Sequence, residues 1–179
     1  QIMAELHSIQ QLHHQTIQQC QQLSSSITTL TNDDKIYIIC DNKKMDLGIQ
    51  NKVALILASS KGLGKAVAIE LAKEGAKVII CGTDLEALAA TEAEIQAIAP
   101  NHVASFVCDI TDEKQRKNLV AQSVKAFGNI EILVTNTGGP AAGAFEQFNL
   151  DDWKHIYNLL FLSAVDIIKQ VLPGLKTSV

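Results

Sequence analysis

At 179 residues the chain is long enough for one domain with a substantial core and a small appendage. Apolar residues make up 47%, which excludes a disordered chain, and a net charge of −4 without a basic cluster argues against a nucleic-acid partner. No uninterrupted apolar run reaches the length of a membrane span, and the first residues lack a signal-peptide pattern, so no membrane partner is expected. Cys20, Cys40, Cys81 and Cys108 follow no metal or disulfide spacing and read as free thiols of a cytoplasmic protein.

Residues 1–44 differ from the rest: they hold eight glutamines and three of the five histidines, with no glycine or proline. Ile2, Leu6, Ile9, Cys20, Leu23, Ile27 and Leu30 step in a four-three register, with His13 and Thr16 as polar layers between them. That pattern predicts a helical segment that packs on a partner, followed by one short strand at Lys35–Cys40. His7, His13, His14 and Cys20 do not bring four ligands to one helix face, so no metal site is assigned. The segment carries no readable function; a further reading is that it is not native to the fold of residues 45–179.

From Met45 the pattern becomes regular. A strand at Val53–Leu57 leads through Ala58-Ser59-Ser60-Lys61-Gly62-Leu63-Gly64 into a helix over residues 65–74, with Gly75 past its end. Val78–Cys81 is the second strand, and Asp84 opens a helix that runs to about Ala99 before Pro100. Val103–Cys108 is the third strand, Thr111-Asp112-Glu113 starts a helix to Phe127, and Gly128 follows it. Ile130–Thr135 is the fourth strand, the turn Thr137–Gly143 comes next, and a long helix covers residues 150–172 before Pro173-Gly174. Apolar strands that alternate with helices give an α/β fold, a doubly wound parallel sheet in the order 3-2-1-4. The strand, glycine turn and helix at 53–74 form a phosphate cradle, where backbone N–H groups and a helix N-terminus meet an anion.

These motifs resemble the short-chain dehydrogenase/reductase family, above all 3-oxoacyl-acyl-carrier-protein reductases, over residues 45–179. The run KVALILASSKGLGKAVAIELAKEGAKVIICG matches that family's first strand, glycine loop, helix and second strand. Cys108-Asp109-Ile110 stands where the family has an aspartate against the adenine, and Thr135-Asn136-Thr137-Gly138 stands at its Asn-Asn-Ala-Gly turn. Trp153 to Ser163 is similar to its fourth helix, with Asn158 at the helix asparagine. The resemblance implies a Rossmann-type fold. It also implies a cofactor site formed by Ser59, Ser60, Lys61, Gly62, Leu63, Gly64, Thr83, Asp109, Ile110, Asn136 and Gly138, and a catalytic proton-relay role for Asn158.

Several residues leave alternatives open. Ala58 replaces the loop's first glycine, which is costly if that position needs positive φ. Gly82-Thr83 is neutral at the end of the second strand, and Lys61 adds a loop cation, which together favour NADP; NAD is the alternative if Asp84 turns in toward the ribose. Asp109 could instead cap the helix that follows it, the 137–143 turn could be a plain strand exit, and Asn158 could lie on the surface. His155 reads as a surface or packing residue.

Neither Tyr37 nor Tyr157 has a lysine four residues on; those places hold Asp41 and Phe161. The resemblance places the serine and the tyrosine-lysine pair after a fifth strand, beyond Val179, and Ser178 is too early for that serine. The expectation is therefore the cofactor-binding half of an NADP-dependent carbonyl or 3-oxoacyl reductase, truncated before its fifth strand. The resemblance implies a small carbonyl or acyl compound as the substrate of the completed site. The alternative is a non-catalytic nucleotide-binding or interaction module. Leu159, Phe161, Leu162, Val165 and Ile168 cannot all face such a core, which predicts self-association as a homo-oligomer.

Overall fold

The computed structural model describes residues 29–32, 35–38 and 47–177. The chain divides into two compact units, Gln1–Met45 and Asp46–Val179. In the first, β1 (Thr29–Asn32) pairs antiparallel with β2 (Lys35–Ile38), Thr29 opposite Ile38 and Asn32 opposite Lys35. This corrects the expectation of a helix through Leu30 and a single strand. Thr29 and Thr31 are β-branched and favour a strand locally, whatever register Leu30 completes. The remainder of the heptad seam, with His7, His13, His14, Cys20 and Cys40, lies outside the described residues.

The second unit is built on β3 (Val53–Ile56), β4 (Lys77–Gly82), β5 (Val103–Val107) and β6 (Ile132–Val134), all parallel and in the order β5-β4-β3-β6. This is the 3-2-1-4 order read from the sequence. Alternation along β3 divides the core. Val53 and Leu55, with Leu57 beyond the strand, join Ile79, Cys81, Leu119, Ile130, Ile167 and Val171 on one face. Ala54 and Ile56 join Ala68, Ala72, Val78, Ile80, Leu88 and Ile95 on the other. Apart from Lys77 at the start of β4, the two inner strands are apolar because both faces are covered.

Helices α1 (Gly62–Lys73) and α2 (Leu85–Ile98) cover the second of these faces. Helix α3 (Glu113–Phe127) and the last helix cover the first. Helix α1 buries Gly64, Ala68 and Ala72, a small-residue stripe at four-residue spacing that brings its backbone close to the sheet. Asp84 caps α2 through Ala87 N–H, and Asp112 caps α3 through the N–H groups of Lys114 and Gln115. Asp109 therefore does not cap α3. Helix α1 begins three residues earlier than expected, because Lys61 O already accepts a hydrogen bond from Lys65 N–H (3.4 Å).

The last helix is continuous through α4 (Leu150–Tyr157), a π turn (Asn158–Leu162) and α5 (Ser163–Thr177). The expected stop at Pro173 does not occur. Proline removes only one N–H, while Gly174 sits so close to the chain before β6 that a Cβ there would lie 2.8 Å from Ile130 O. The resulting 28-residue helix, Leu150–Thr177, is long and apolar enough by length and composition to cross a membrane, although Asp166 and Lys169 interrupt its apolar run. One face of it, Ser163, Ile167 and Val171, is buried in the domain. Tyr157, Leu160, Phe161, Leu162, Ile168 and Leu172 are exposed. Among the described residues β6 forms the outer edge of the sheet, and it is only half-buried.

Candidate functional site

The chain leaves β3 at the point where the sheet grows in both directions, toward β4 on one side and β6 on the other. Crevices at such a switch point are the usual ligand sites of doubly wound sheets. Leu57 N–H donates to Val134 O (3.0 Å), Ser59 N–H to Cys81 O (2.8 Å) and Cys108 N–H to Gly82 O (3.0 Å), so the strand exits are tied together. Between them lies a cleft of about 420 Å³.

The glycine loop forms one wall. Ala58 has φ +47°, a left-handed conformation, which realises the strain expected for an alanine in place of the first glycine. Asn136 Nδ2 donates to Ala58 O (3.0 Å) across the switch point. Gly64 fits under this contact with nothing to spare: a Cβ there would lie 2.5 Å from Ala58 O and 2.8 Å from Asn136 Nδ2. Ser60, Lys61, Gly62 and Leu63 line the cleft. Helix α1 starts here with no side-chain cap and no acidic residue in its first turn, so its N–H groups and positive dipole end are presented to the cleft.

Ser59 points elsewhere. Its side chain is fully buried, Oγ donating to Ile56 O (2.7 Å) and accepting from Cys81 N–H (3.0 Å). Gly64 also lies beneath the loop and does not line the cleft. Thr83 lines it at the end of β4, where Lys61 Nζ is 2.9 Å from Asp84 Oδ2. The Asp84 carboxyl is held below its usual range by the hydrogen bond from Ala87 N–H and then by Lys61.

Asp109 and Ile110 form the facing wall. Asp109 Oδ1 accepts from Thr111 N–H (2.9 Å) and Thr111 Oγ1 (2.8 Å), which fixes the turn. Asn136, Thr137 and Gly138 close the cleft on the β6 side. Asn158 does not line it. The asparagine stands at the head of the π turn, donates through Nδ2 to Thr111 O (2.9 Å), and faces a second, more open cleft with Arg116, Asp166 and Lys169.

Arg116 is the functional candidate that sequence reading missed. It is buried on α3, with Nε 2.6 Å from Asp166 Oδ2 and an Nη donating to Ile110 O (2.8 Å). Its signal was a charge in the buried stripe Arg116, Leu119, Ser123. Burial alone raises the Asp166 carboxyl, but the hydrogen bond from Arg116 and the charge of that guanidinium outweigh it and hold the group below its usual range. Cys108, also unforeseen as a lining residue, has its thiol pushed up to about 11, chiefly by burial.

The model of the short chain dehydrogenase family matches residues 52–178. A (2S)-[(R)-hydroxy(phenyl)methyl]succinyl-CoA dehydrogenase subunit, BbsD of Thauera aromatica, is 40% identical over 113 residues, 63% of this chain and 45% of that protein. The 3-oxoacyl-[acyl-carrier-protein] reductase FabG of Thermotoga maritima is 30% identical over 125 residues, 70% of this chain and 50% of the relative. Among solved structures, L-sorbose reductase from Gluconobacter frateurii, complexed with NADPH and L-sorbose, is similar with a TM-score of 0.68 and 27% identity. That match covers 74% of this chain and 51% of the other. The chain thus spans about half the length of these relatives.

Proposed function

The chain belongs to the short-chain dehydrogenase family, and on that premise we propose that it forms the coenzyme-binding portion of an NADP-dependent carbonyl or 3-oxoacyl reductase. The observation that carries this reading is the uncapped N-terminus of α1 opening on the cleft beside Lys61. A dinucleotide pyrophosphate suits that place, because the first turn of α1 has neither a side-chain cap nor an acidic residue to meet its N–H groups. Ser60, Lys61, Gly62 and Leu63 would hold the phosphates, Thr83 the adenosine ribose, Asp109 and Ile110 the adenine, and Asn136 and Gly138 the inner end of the coenzyme. Ser59 and Gly64 would act by shaping the loop. A bound nicotinamide coenzyme supplies or accepts a hydride.

Proton transfer to a carbonyl oxygen needs a tuned acid, and Tyr157, followed by Phe161 four residues on, has no lysine partner at that spacing. We therefore assign these residues the binding step, with a small carbonyl or acyl compound as the substrate of the complete site and Asn158 as a positioning group for the proton relay. The same tyrosine spacing favours, as second reading, a nucleotide-binding module without catalysis. The exposed apolar residues Tyr157, Leu160 and Phe161 suit a homo-oligomer.

Fluorescence titration of the 179-residue chain with NADPH tests the first step. Saturable binding that is lost on Lys61→Glu is expected. A folded chain that binds neither NADPH nor NADH refutes the coenzyme reading, and sustained NADPH-dependent reduction of a 3-oxoacyl substrate by this polypeptide alone refutes the assignment of binding without chemistry.

A further inference from the structure

We propose that Asp84 is a specificity-determining residue that weakens the preference of this cleft for NADP over NAD by competing with the 2′-phosphate for Lys61. The inference rests on the coenzyme reading above. Among the described residues that line the cleft, Lys61 is the only cation. Any added phosphate at the strand end must rely on it, and its Nζ already lies 2.9 Å from Asp84 Oδ2.

The two partners are not equally free. Asp84 is anchored, since its other oxygen, Oδ1, accepts the N–H of Ala87 and so caps α2 (3.0 Å). Lys61 sits at the end of a flexible stem, with its side chain 70% exposed. A fixed carboxylate therefore holds a mobile ammonium. Asp84 lies two residues beyond the end of β4 at Gly82, and both of its oxygens have a partner. This differs from an acidic residue at the strand end that hydrogen-bonds ribose hydroxyls. NAD carries no 2′-phosphate and leaves the ion pair intact. NADP must take the lysine from Asp84 and then place a second anion near that carboxylate. Exposed pairs of this kind are weak, so the competition lowers NADP affinity without abolishing it.

Asparagine is as good an N-cap as aspartate, so Asp84→Asn removes the charge and keeps the start of α2. NADPH and NADH are titrated by fluorescence against the wild-type chain, D84N, K61Q and the double variant, at low and high salt. Asp84→Asn is expected to tighten NADPH about fivefold at low salt, the upper range for releasing an exposed pair, and to change NADH less than about twofold. Lys61→Gln is expected to weaken NADPH selectively, and adding Asp84→Asn to it is expected to recover less than half of the fivefold gain. The gain is expected to shrink at high salt.

Equal gains with and without Lys61 overturn the competition, because Asp84 would then act by general repulsion. An unchanged NADPH affinity in D84N overturns it as well, and so does a selective loss of NADH, which would make Asp84 a ribose ligand. Should none of the four folded proteins bind either coenzyme, the coenzyme reading itself fails and takes this inference with it. Wild-type binding with any of the other adverse results removes the inference alone.

Discussion

Ala58 holds the most strained backbone in the cleft, and replacing it with glycine is expected to stabilise the domain. Three described non-glycine residues have positive φ: Asn51, Asn101 and Ala58. Asparagine tolerates the left-handed region, whereas alanine pays for its Cβ about 1–2 kcal/mol. The surroundings impose the conformation: Ala58 O accepts from Asn136 Nδ2, and the next N–H, that of Ser59, donates to Cys81 O. Ala58→Gly removes the steric cost but adds unfolded-state freedom worth about 0.4–1 kcal/mol. The methyl lines the cleft and is only half-buried, so little packing is lost with it. The net gain is about 0.5–1 kcal/mol, which for roughly 130 residues raises Tm by about 2–4 °C. Ala58→Val, β-branched at the same φ, moves the other way by roughly 1–2 kcal/mol. Thermal unfolding followed by circular dichroism separates the three proteins in the order Gly, Ala, Val. A Tm for A58G below that of the parent, or an A58V protein as stable as the parent, would refute the strain argument.

At Gly64, alanine would place its Cβ 2.5 Å from Ala58 O and 2.9 Å from Ser59 Cα, both backbone atoms. Gly64→Ala is therefore expected to cost about 2–3 kcal/mol, read as a lowered midpoint in urea; a loss below half a kcal/mol (about one experimental error) contradicts the close approach. The Asp166 carboxyl is depressed in the folded state, so its contribution is present above the unfolded value of 3.8 and is lost as pH falls through the lower folded value. Asp166→Asn is expected to be less stable by about 2 kcal/mol at pH 7, because Arg116 remains buried. The gap between the two proteins should close only below the ordinary carboxylate range; a gap that closes nearer neutrality, or never exists, removes the ion pair from the account. Burial lifts the Cys81 thiol to about 12 and the Cys108 thiol to about 11, so neither forms much thiolate at pH 8. Peptide mapping after iodoacetamide should show both cysteines protected in the native chain and labelled in denaturant, and fast native labelling of Cys108 would mean that the cleft is wetter than its geometry implies.

Much of the fold was legible because each element carried its own local signal. Continuous apolar runs at 53–57 and 78–81 read as strands covered on both faces; Asp84 and Asp112 marked helix starts by side-chain caps that reach within three residues, and Gly128 marked a helix end by its freedom to take positive φ. The misses share the opposite property. Pro173 reads as a stop, yet the helix continues because Gly174 docks against Ile130, a contact distant in sequence. The strand at Thr29–Asn32 was hidden by a four-three register that its own β-branched residues contradict.

In the site, donors were legible and acceptors were not. Asn136 was singled out as a cofactor-site residue and Asn158 as a relay residue, and each donates to a backbone carbonyl, Ala58 O and Thr111 O. Every residue has such a carbonyl, so spacing can raise the question of a partner but cannot choose it. Arg116 shows the consequence. Its Nη holds Ile110 O while Asn158 holds Thr111 O, so two different helices grip consecutive carbonyls behind the wall that carries Asp109 and Ile110. Asp166 in turn holds Arg116 from α5. The position of the wall therefore depends on an ion pair between α3 and α5, which is why a charge change at Asp166, outside the cleft, is expected to reach the residues that line it.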